Sequence, residues 1–230
     1  MKDLRQRKVG VVGAGQLGRM MALAGYPLNI QCRFLDREAS SPAAQVAPLL
    51  AGALDDAERI AELARGSDVL TFDWENVPAK ALRLARSFAP VRPSARALSI
   101  CQDRLLEKRL FASLGIPVAP HAAINSLADL RRAAGRIGAD GLLKTRRLGY
   151  DGKGQARIRR EADFEAALAT LEGASLIYEG FVPFSHEVSQ VAVRSRRGEI
   201  RYYPLARNTH RDGILRVSVA PQVEPAIERR

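Results

Sequence analysis

The chain has 230 residues, with 36 Lys and Arg against 25 Asp and Glu, a formal net charge of +11, and apolar and charged fractions of 47% and 27%. These proportions belong to an ordinary globular protein and exclude a disordered or fibrous chain. No apolar run approaches the ~18 residues of a membrane span, and Gln16 and Arg19 interrupt the run after the basic start, so no secretory leader fits.

The excess charge suits an anionic partner: a nucleic acid, a phosphorylated metabolite or a membrane surface. Lysine occurs only at 2, 8, 80, 108, 144 and 153, so arginine supplies most of the charge. The basic residues are scattered, and no aromatic-rich basic stretch reads as a nucleic-acid platform. The expectation is a soluble cytoplasmic protein that binds small anions rather than nucleic acid or membrane. Cys32 and Cys101 are isolated, without metal-ligand or redox spacing, and both read as small buried apolar residues.

In chain order, residues 9–12 are a β-branched run ending at Gly13, a buried strand meeting a tight turn. Residues 16–24 read as a helix closed by Gly25 and Pro27, and 30–35 as a second strand with Asp36 at its end. A helix over 55–64 and a strand over 69–72 follow. Strands alternating with helices of this length predict a doubly wound α/β domain with a parallel sheet, over residues 1–98.

The second region, 99–230, opens with a helix over 103–114, stopped by Gly115 and Pro117. A helix over 126–137 has Ser126 placed to cap it and Asp129 in its first turn. Strand 142–145, a glycine-rich stretch, helix 163–171 and strand 176–179 follow, then β-type segments at 188–193, 200–203 and 215–219. This half reads as α+β.

Two segments carry chemistry. Gly13-Ala14-Gly15-Gln16-Leu17-Gly18 matches G-x-G-x-x-G between a strand and a helix, where glycines allow close approach and the helix N-terminus can hold a phosphate. Asp36 stands eighteen positions after Gly18, about where a dinucleotide fold places its ribose-binding acid. The segment therefore admits a dinucleotide site, a phosphate site for another ligand, or a turn that serves packing alone. In the second segment, Leu143-Lys144-Thr145 ends an apolar strand, and Gly149-Tyr150-Asp151-Gly152-Lys153-Gly154-Gln155 follows. Its glycines permit a loop whose N–H groups wrap phosphate oxygens, with Lys144 and Lys153 as point charges. The plain structural alternative is a β-hairpin turning at Asp151-Gly152.

Downstream, Tyr178-Glu179-Gly180-Phe181-Val182 follows a strand and Glu187 opens the next, so a carboxylate could accept from ribose hydroxyls while backbone groups meet an adenine edge. Asn208-Thr209-His210-Arg211-Asp212 groups polar side chains ahead of a strand. His121, His186 and His210 lack metal-ligand spacing, and no His/Cys metal site is expected.

Together with Gln102-Asp103-Arg104, Glu107-Lys108, Glu187-Val188-Ser189 and Gly213-Ile214-Leu215-Arg216, these elements in this order resemble the ATP-grasp ligase family that makes 5-(carboxyamino)imidazole ribonucleotide in purine synthesis. The resemblance covers nearly the whole chain, and Gln16 favours this family over its formate-using transformylase relative. It implies an ATP-grasp region over 99–230, with a lid at about 118–180, and an ATP site of Arg104, Lys144, Gly149, Tyr150, Asp151, Gly152, Lys153, Gly154, Gln155, Glu179, Gly180, Phe181, Val182, Glu187 and His210. Lys144, Lys153 and Arg216 take the catalytic positions, while Gly15, Gln16 and Leu17 help to hold the ribonucleotide in place of NAD. The implied substrates are ATP, bicarbonate and aminoimidazole ribonucleotide, and a homodimer is the implied assembly.

Family members run past this length. The resemblance places their magnesium ligands and a small β domain beyond Arg230, so a nucleotide-binding piece without turnover is the alternative to a complete enzyme. Asp73 and Arg207 stand where the family pattern has Glu.

Overall fold

Strand β1 (Arg7–Val12) sends successive side chains to opposite faces, Val11 into one buried apolar cluster and Val12 into another. Strand β2 (Ile30–Asp36) does the same with Phe34 and Leu35. A sheet buried on both faces needs helices on both, and the sequence supplies them. Helix α1 (Gln16–Gly25) packs Ala22 with Val11 and Phe34, whereas α2 (Ala57–Arg65) and α3 (Ala79–Ala85) pack Ile60, Leu63 and Leu82 with Val12 and Leu35. With β3 (Leu49–Ala51) and β4 (Val69–Phe72), the sheet has the order β3-β2-β1-β4, every pair parallel.

The computed structural model describes residues 6–149, 152–211 and 213–221. The chain divides into two compact units, Met1–Gly115 and Ile116–Arg230. The first includes α4 (Ala95–Cys101) and α5 (Arg104–Ser113). Gln102, between them, donates from Nε2 to the carbonyls of Glu75 and Val77 at 2.6 and 2.7 Å, and Asp103 caps α5 by accepting from the Leu105 and Leu106 N–H groups. Both are buried polar residues with a structural duty.

In the second unit, β5 (His121–Ile124), β6 (Gly141–Thr145), β7 (Gln155–Ile158) and β8 (Leu176–Gly180) form an antiparallel sheet in the order β5-β8-β6-β7. Helices α6 (Leu127–Ile137) and α7 (Phe164–Thr170) cover it, burying Leu130, Leu143, Ile158, Phe164 and Tyr178. Beyond it, β9 (Glu187–Ser189), β12 (Ala206–Arg211) and β13 (Ile214–Val219) make a three-stranded sheet. Strands β10 (Ala192–Arg194) and β11 (Ile200–Tyr202) make a hairpin. Among the described residues after Gly180, Leu205 alone is buried.

The α/β-then-α+β order and the long elements follow the sequence reading. Three readings differ in detail. Segment 188–193 splits into β9 and β10. Of the group from Asn208 to Asp212, read as polar side chains ahead of a strand, residues 208–211 lie within β12, held between β9 and β13, and Asp212 lies outside the described residues. Cys32 is buried as expected, but Cys101 is exposed at the end of α4, where only Leu98 of that helix is buried.

Candidate functional site

Parallel register builds the first group. Val12 pairs with Leu35 on one side and Phe72 on the other, so the next residues, Gly13, Asp36 and Asp73, lie at one level beyond the strand ends. Gly13 has φ +93°, and a Cβ there would overlap the Asp73 carboxylate. The loop N–H groups then find partners within the protein. Ala14 donates to Asp36 Oδ2 at 2.7 Å and Gly15 to Asp73 Oδ2 at 2.6 Å. Asp36 Oδ1 accepts from the Arg37 N–H, so both its oxygens are engaged with backbone. Burial pushes the Asp73 carboxyl above its ordinary value, and the neighbouring Asp36 charge adds to this against the Gly15 hydrogen bond.

Among the described residues, the Gln16 and Leu17 N–H groups donate to none, leaving the first turn of α1 as the loop's outward donor pair. Gln16 and Leu17 are exposed and Gly15 half-buried.

The second group lies on the β5-β8-β6-β7 sheet. Lys144 on β6 and Glu179 on β8 occupy neighbouring strands, with Nζ 2.9 Å from Oε2 and both side chains largely withdrawn from solvent. The partner at hand keeps the lysine from being a lone desolvated charge. Lys144 pairs with Gln155 at the root of the β6–β7 hairpin, and the Thr145 N–H donates to the Gly154 carbonyl at 2.8 Å. Gly152 and Gly154 take positive φ, so the segment is at once a hairpin and a glycine loop ending beside Lys144. Lys153 and Gln155 are exposed and Gly149 half-buried. Tyr150, Asp151 and Asp212 lie outside the described residues.

The strand end after Glu179 is tied down by residues that sequence reading did not single out. The Phe181 N–H donates to the Asp140 carbonyl at 3.0 Å. Arg157 lays its guanidinium 4.1 Å over the Phe181 ring while reaching the Gly141 carbonyl at 2.8 Å and Asp140 Oδ1 at 2.5 Å. Only the antiparallel pairing of Gly141 with Ile158 brings Asp140 to Arg157, so no local signal marked them. Phe181 and Val182 stay nearly half exposed, while Gly180 is buried.

A third group is the pair His210 and Glu187: His210 Nδ1 lies 2.6 Å from Glu187 Oε2 across the β12–β9 pairing. Arg216 is exposed on β13. Arg104 opens α5 within the first unit. Among the described residues no set of three or more His, Cys, Asp and Glu side chains is placed to hold a metal ion, and no helix is long and apolar enough to cross a membrane. The chemistry on offer is electrostatic: a held ammonium beside a glycine hairpin, and an aromatic edge.

Known proteins are similar to this chain in sequence and fold. Residues 6–102 match the ribonucleotide synthetase preATP-grasp domain, and residues 109–230 match the ATP-grasp domain. N5-carboxyaminoimidazole ribonucleotide synthase of Pseudomonas aeruginosa is 49% identical over 218 residues, covering 95% of this chain and 61% of that protein. The crystal structure of N5-carboxyaminoimidazole ribonucleotide synthetase from Thermus thermophilus is 44% identical with TM-score 0.89, covering 96% of this chain and 60% of that one. The N5-carboxyaminoimidazole synthase of Aspergillus clavatus, solved with ADP and 5-aminoimidazole ribonucleotide, is 30% identical with TM-score 0.90, covering 99% and 60%. The chain thus spans about 60% of the length of these relatives. With the ATP-grasp match covering 109–230, more than half of its residues, the chain belongs to the ATP-grasp family.

Proposed function

We propose that this chain carries the nucleotide-binding part of an ATP-dependent carbon–nitrogen ligase that converts aminoimidazole ribonucleotide and bicarbonate to 5-(carboxyamino)imidazole ribonucleotide. The observation that carries the reading is the Lys144–Glu179 pair at 2.9 Å, at the root of the glycine hairpin on adjacent strands. A lysine held there offers its remaining N–H donors to phosphate oxygens, and the hairpin can fold over them. In the proposed reaction a bicarbonate oxygen attacks the γ-phosphorus of ATP and ADP leaves. The exocyclic amine nitrogen then attacks the carboxyl carbon of the resulting carboxyphosphate, phosphate leaves, and the nitrogen gives up a proton. Lys144 and Lys153 neutralise charge on the transferring phosphoryl group. Closure of the hairpin keeps water from the acyl phosphate. Phe181 and Val182 lie at the edge assigned to adenine. Gln16 and Leu17, with their two outward N–H groups, are assigned to the ribonucleotide phosphate.

The described residues offer no ligand set for the magnesium that the resemblance implies, and no step above is routed through it. The proposed whole activity belongs to a protein of the relatives' full length. Calorimetry of ATP on this chain, with Lys144→Ala and Lys153→Ala beside it, tests the binding claim. Each substitution should weaken binding by about tenfold or more, since a charge-assisted hydrogen bond contributes about 1.5–3 kcal/mol. Removing Lys144 takes away the ion-pair partner of the buried Glu179, so the exposed Lys153 is the variant that perturbs the buried sheet less, and the melting of both variants is compared with that of the parent. Unchanged affinity in Lys153→Ala would refute the hairpin's role. Phosphate release that needs ATP, bicarbonate and aminoimidazole ribonucleotide together tests the reaction, and release no greater than in Lys144→Ala would refute it for this chain.

A further inference from the structure

The first unit has a cleft that the proposed reaction does not use. It lies between α3 and α4, has a volume of about 810 Å³, and its lining includes four arginines, Arg83, Arg86, Arg92 and Arg96. Its floor is apolar: Leu82 and Val91 are buried and Ile100 is half-buried. Helical spacing gathers the charges. Arg83 and Arg86 are three apart at the C-terminal end of α3, so they share a face. Arg96 sits in the first turn of α4 with Ser99 and Ile100 one turn on. Arg92 reaches in from the segment between the helices, its Nη1 donating to the Val91 carbonyl at 2.8 Å.

Among the described residues that line the cleft there is no Asp or Glu, and none of the four arginines pairs with a described carboxylate. Elsewhere in the same unit the pattern differs: Arg33 and Arg59 both lie 2.9 Å from Glu62, and Lys80 lies 2.9 Å from Asp55. Gathering like charges without a counter-charge is unfavourable unless an anion binds. Guanidinium groups suit a phosphate, which they grip bidentately. A bare phosphate would leave most of such a cleft empty, since clefts of about 300–1,000 Å³ hold drug-sized ligands. The apolar floor calls for a flat ring beside the phosphate.

We infer that this cleft binds a phosphorylated ring compound of the nucleoside monophosphate class, with the phosphate on the four arginines and the ring on Leu82, Val91 and Ile100. The site is independent of the Lys144–Glu179 group, and its fate does not decide the function proposed above. The probe is AMP titrated into the isotope-labelled chain at fixed ionic strength, with adenosine and inorganic phosphate as comparisons, read by amide shifts of Arg83, Arg96, Ser99 and Ile100.

AMP should move these four amides and bind more tightly than either comparison compound. In Arg83→Ala/Arg96→Ala its affinity there should fall by about tenfold or more, as expected when charge-assisted hydrogen bonds are lost. Both arginines are exposed, so the double variant should melt as the parent does, and Arg83→Lys/Arg96→Lys should restore part of the binding. AMP shifts confined to the second unit would overturn the inference. So would an undiminished affinity in the alanine variant, or adenosine binding as well as AMP. A short single-stranded RNA that moves the same amides at lower concentration than AMP would replace it with a nucleic-acid surface.

Discussion

At the scale of single residues, the loop after β1 shows how much a motif leaves unsaid. The glycines announce a tight turn and close approach, and positive φ at Gly13 meets that expectation. The spacing of Asp36 suggests a ribose ligand, yet both of its oxygens hold backbone N–H groups of this unit. The partner that completes the loop is Asp73, 58 residues from Gly15, and only the β1–β4 register brings it there. Its carboxyl is raised, by burial first and by Asp36 after that, so the folded chain holds the proton more tightly than the unfolded one. The stability this confers is fully present below the unfolded value of about 3.9 and is lost as pH rises through the higher folded-state value. Asp73→Asn keeps an acceptor for the Gly15 N–H and removes the titration. Relative to the parent, its urea-denaturation stability should climb as pH is raised from about 4 towards neutrality. Parallel curves for the two proteins would refute the assignment.

At the scale of elements, caps made helices legible and pairing made strands less so. The expected cap of α6 is present: the Asp129 N–H donates to Ser126 Oγ at 3.1 Å, and Asp129 Oδ2 accepts from the Asn125 N–H at 3.0 Å. The Asn125 hydrogen bond chiefly, and Ser126 next, hold the Asp129 carboxyl below its ordinary value, so this contribution fades as pH falls through that lowered value. Ser126→Ala removes the acceptor at the head of an 11-residue helix and should destabilise the chain by about 1 kcal/mol in urea. A loss within error would mean that the Asp129–Asn125 bond caps the helix alone. Strand β12 was harder to read because Arg207-Asn208-Thr209-His210 has no apolar alternation. It is ordered across the sheet instead, where Asn208 donates from Nδ2 to Ser189 Oγ at 2.6 Å and accepts at Oδ1 from Ser218 Oγ at 2.8 Å. Likewise β3 and β10 are three residues each, too short for a period-two signal.

At the scale of the whole molecule, the order of the two architectures was legible because it rests on long periodic elements, and the border between them rests on fewer signals. The turn-rich 90–94 segment and the change of pattern after it place the border at residue 98 in the sequence. Side-chain bonds reach back across that point. The Gln102 amide donates to two main-chain carbonyls, of Glu75 and Val77, and Val77 belongs to the apolar core that also holds Leu98. Cutting the chain after Leu98 leaves both carbonyls without that donor and removes the Asp103-capped α5, which buries Leu105. A buried carbonyl that loses its partner costs about 1–3 kcal/mol. A fragment ending at Gly115 should therefore unfold in one cooperative transition and be more stable in urea than a fragment ending at Leu98 by at least that margin. Equal midpoints for the two fragments would show that α5 and the Gln102 amide add nothing to the first unit, and would move its border back to the position read from the sequence.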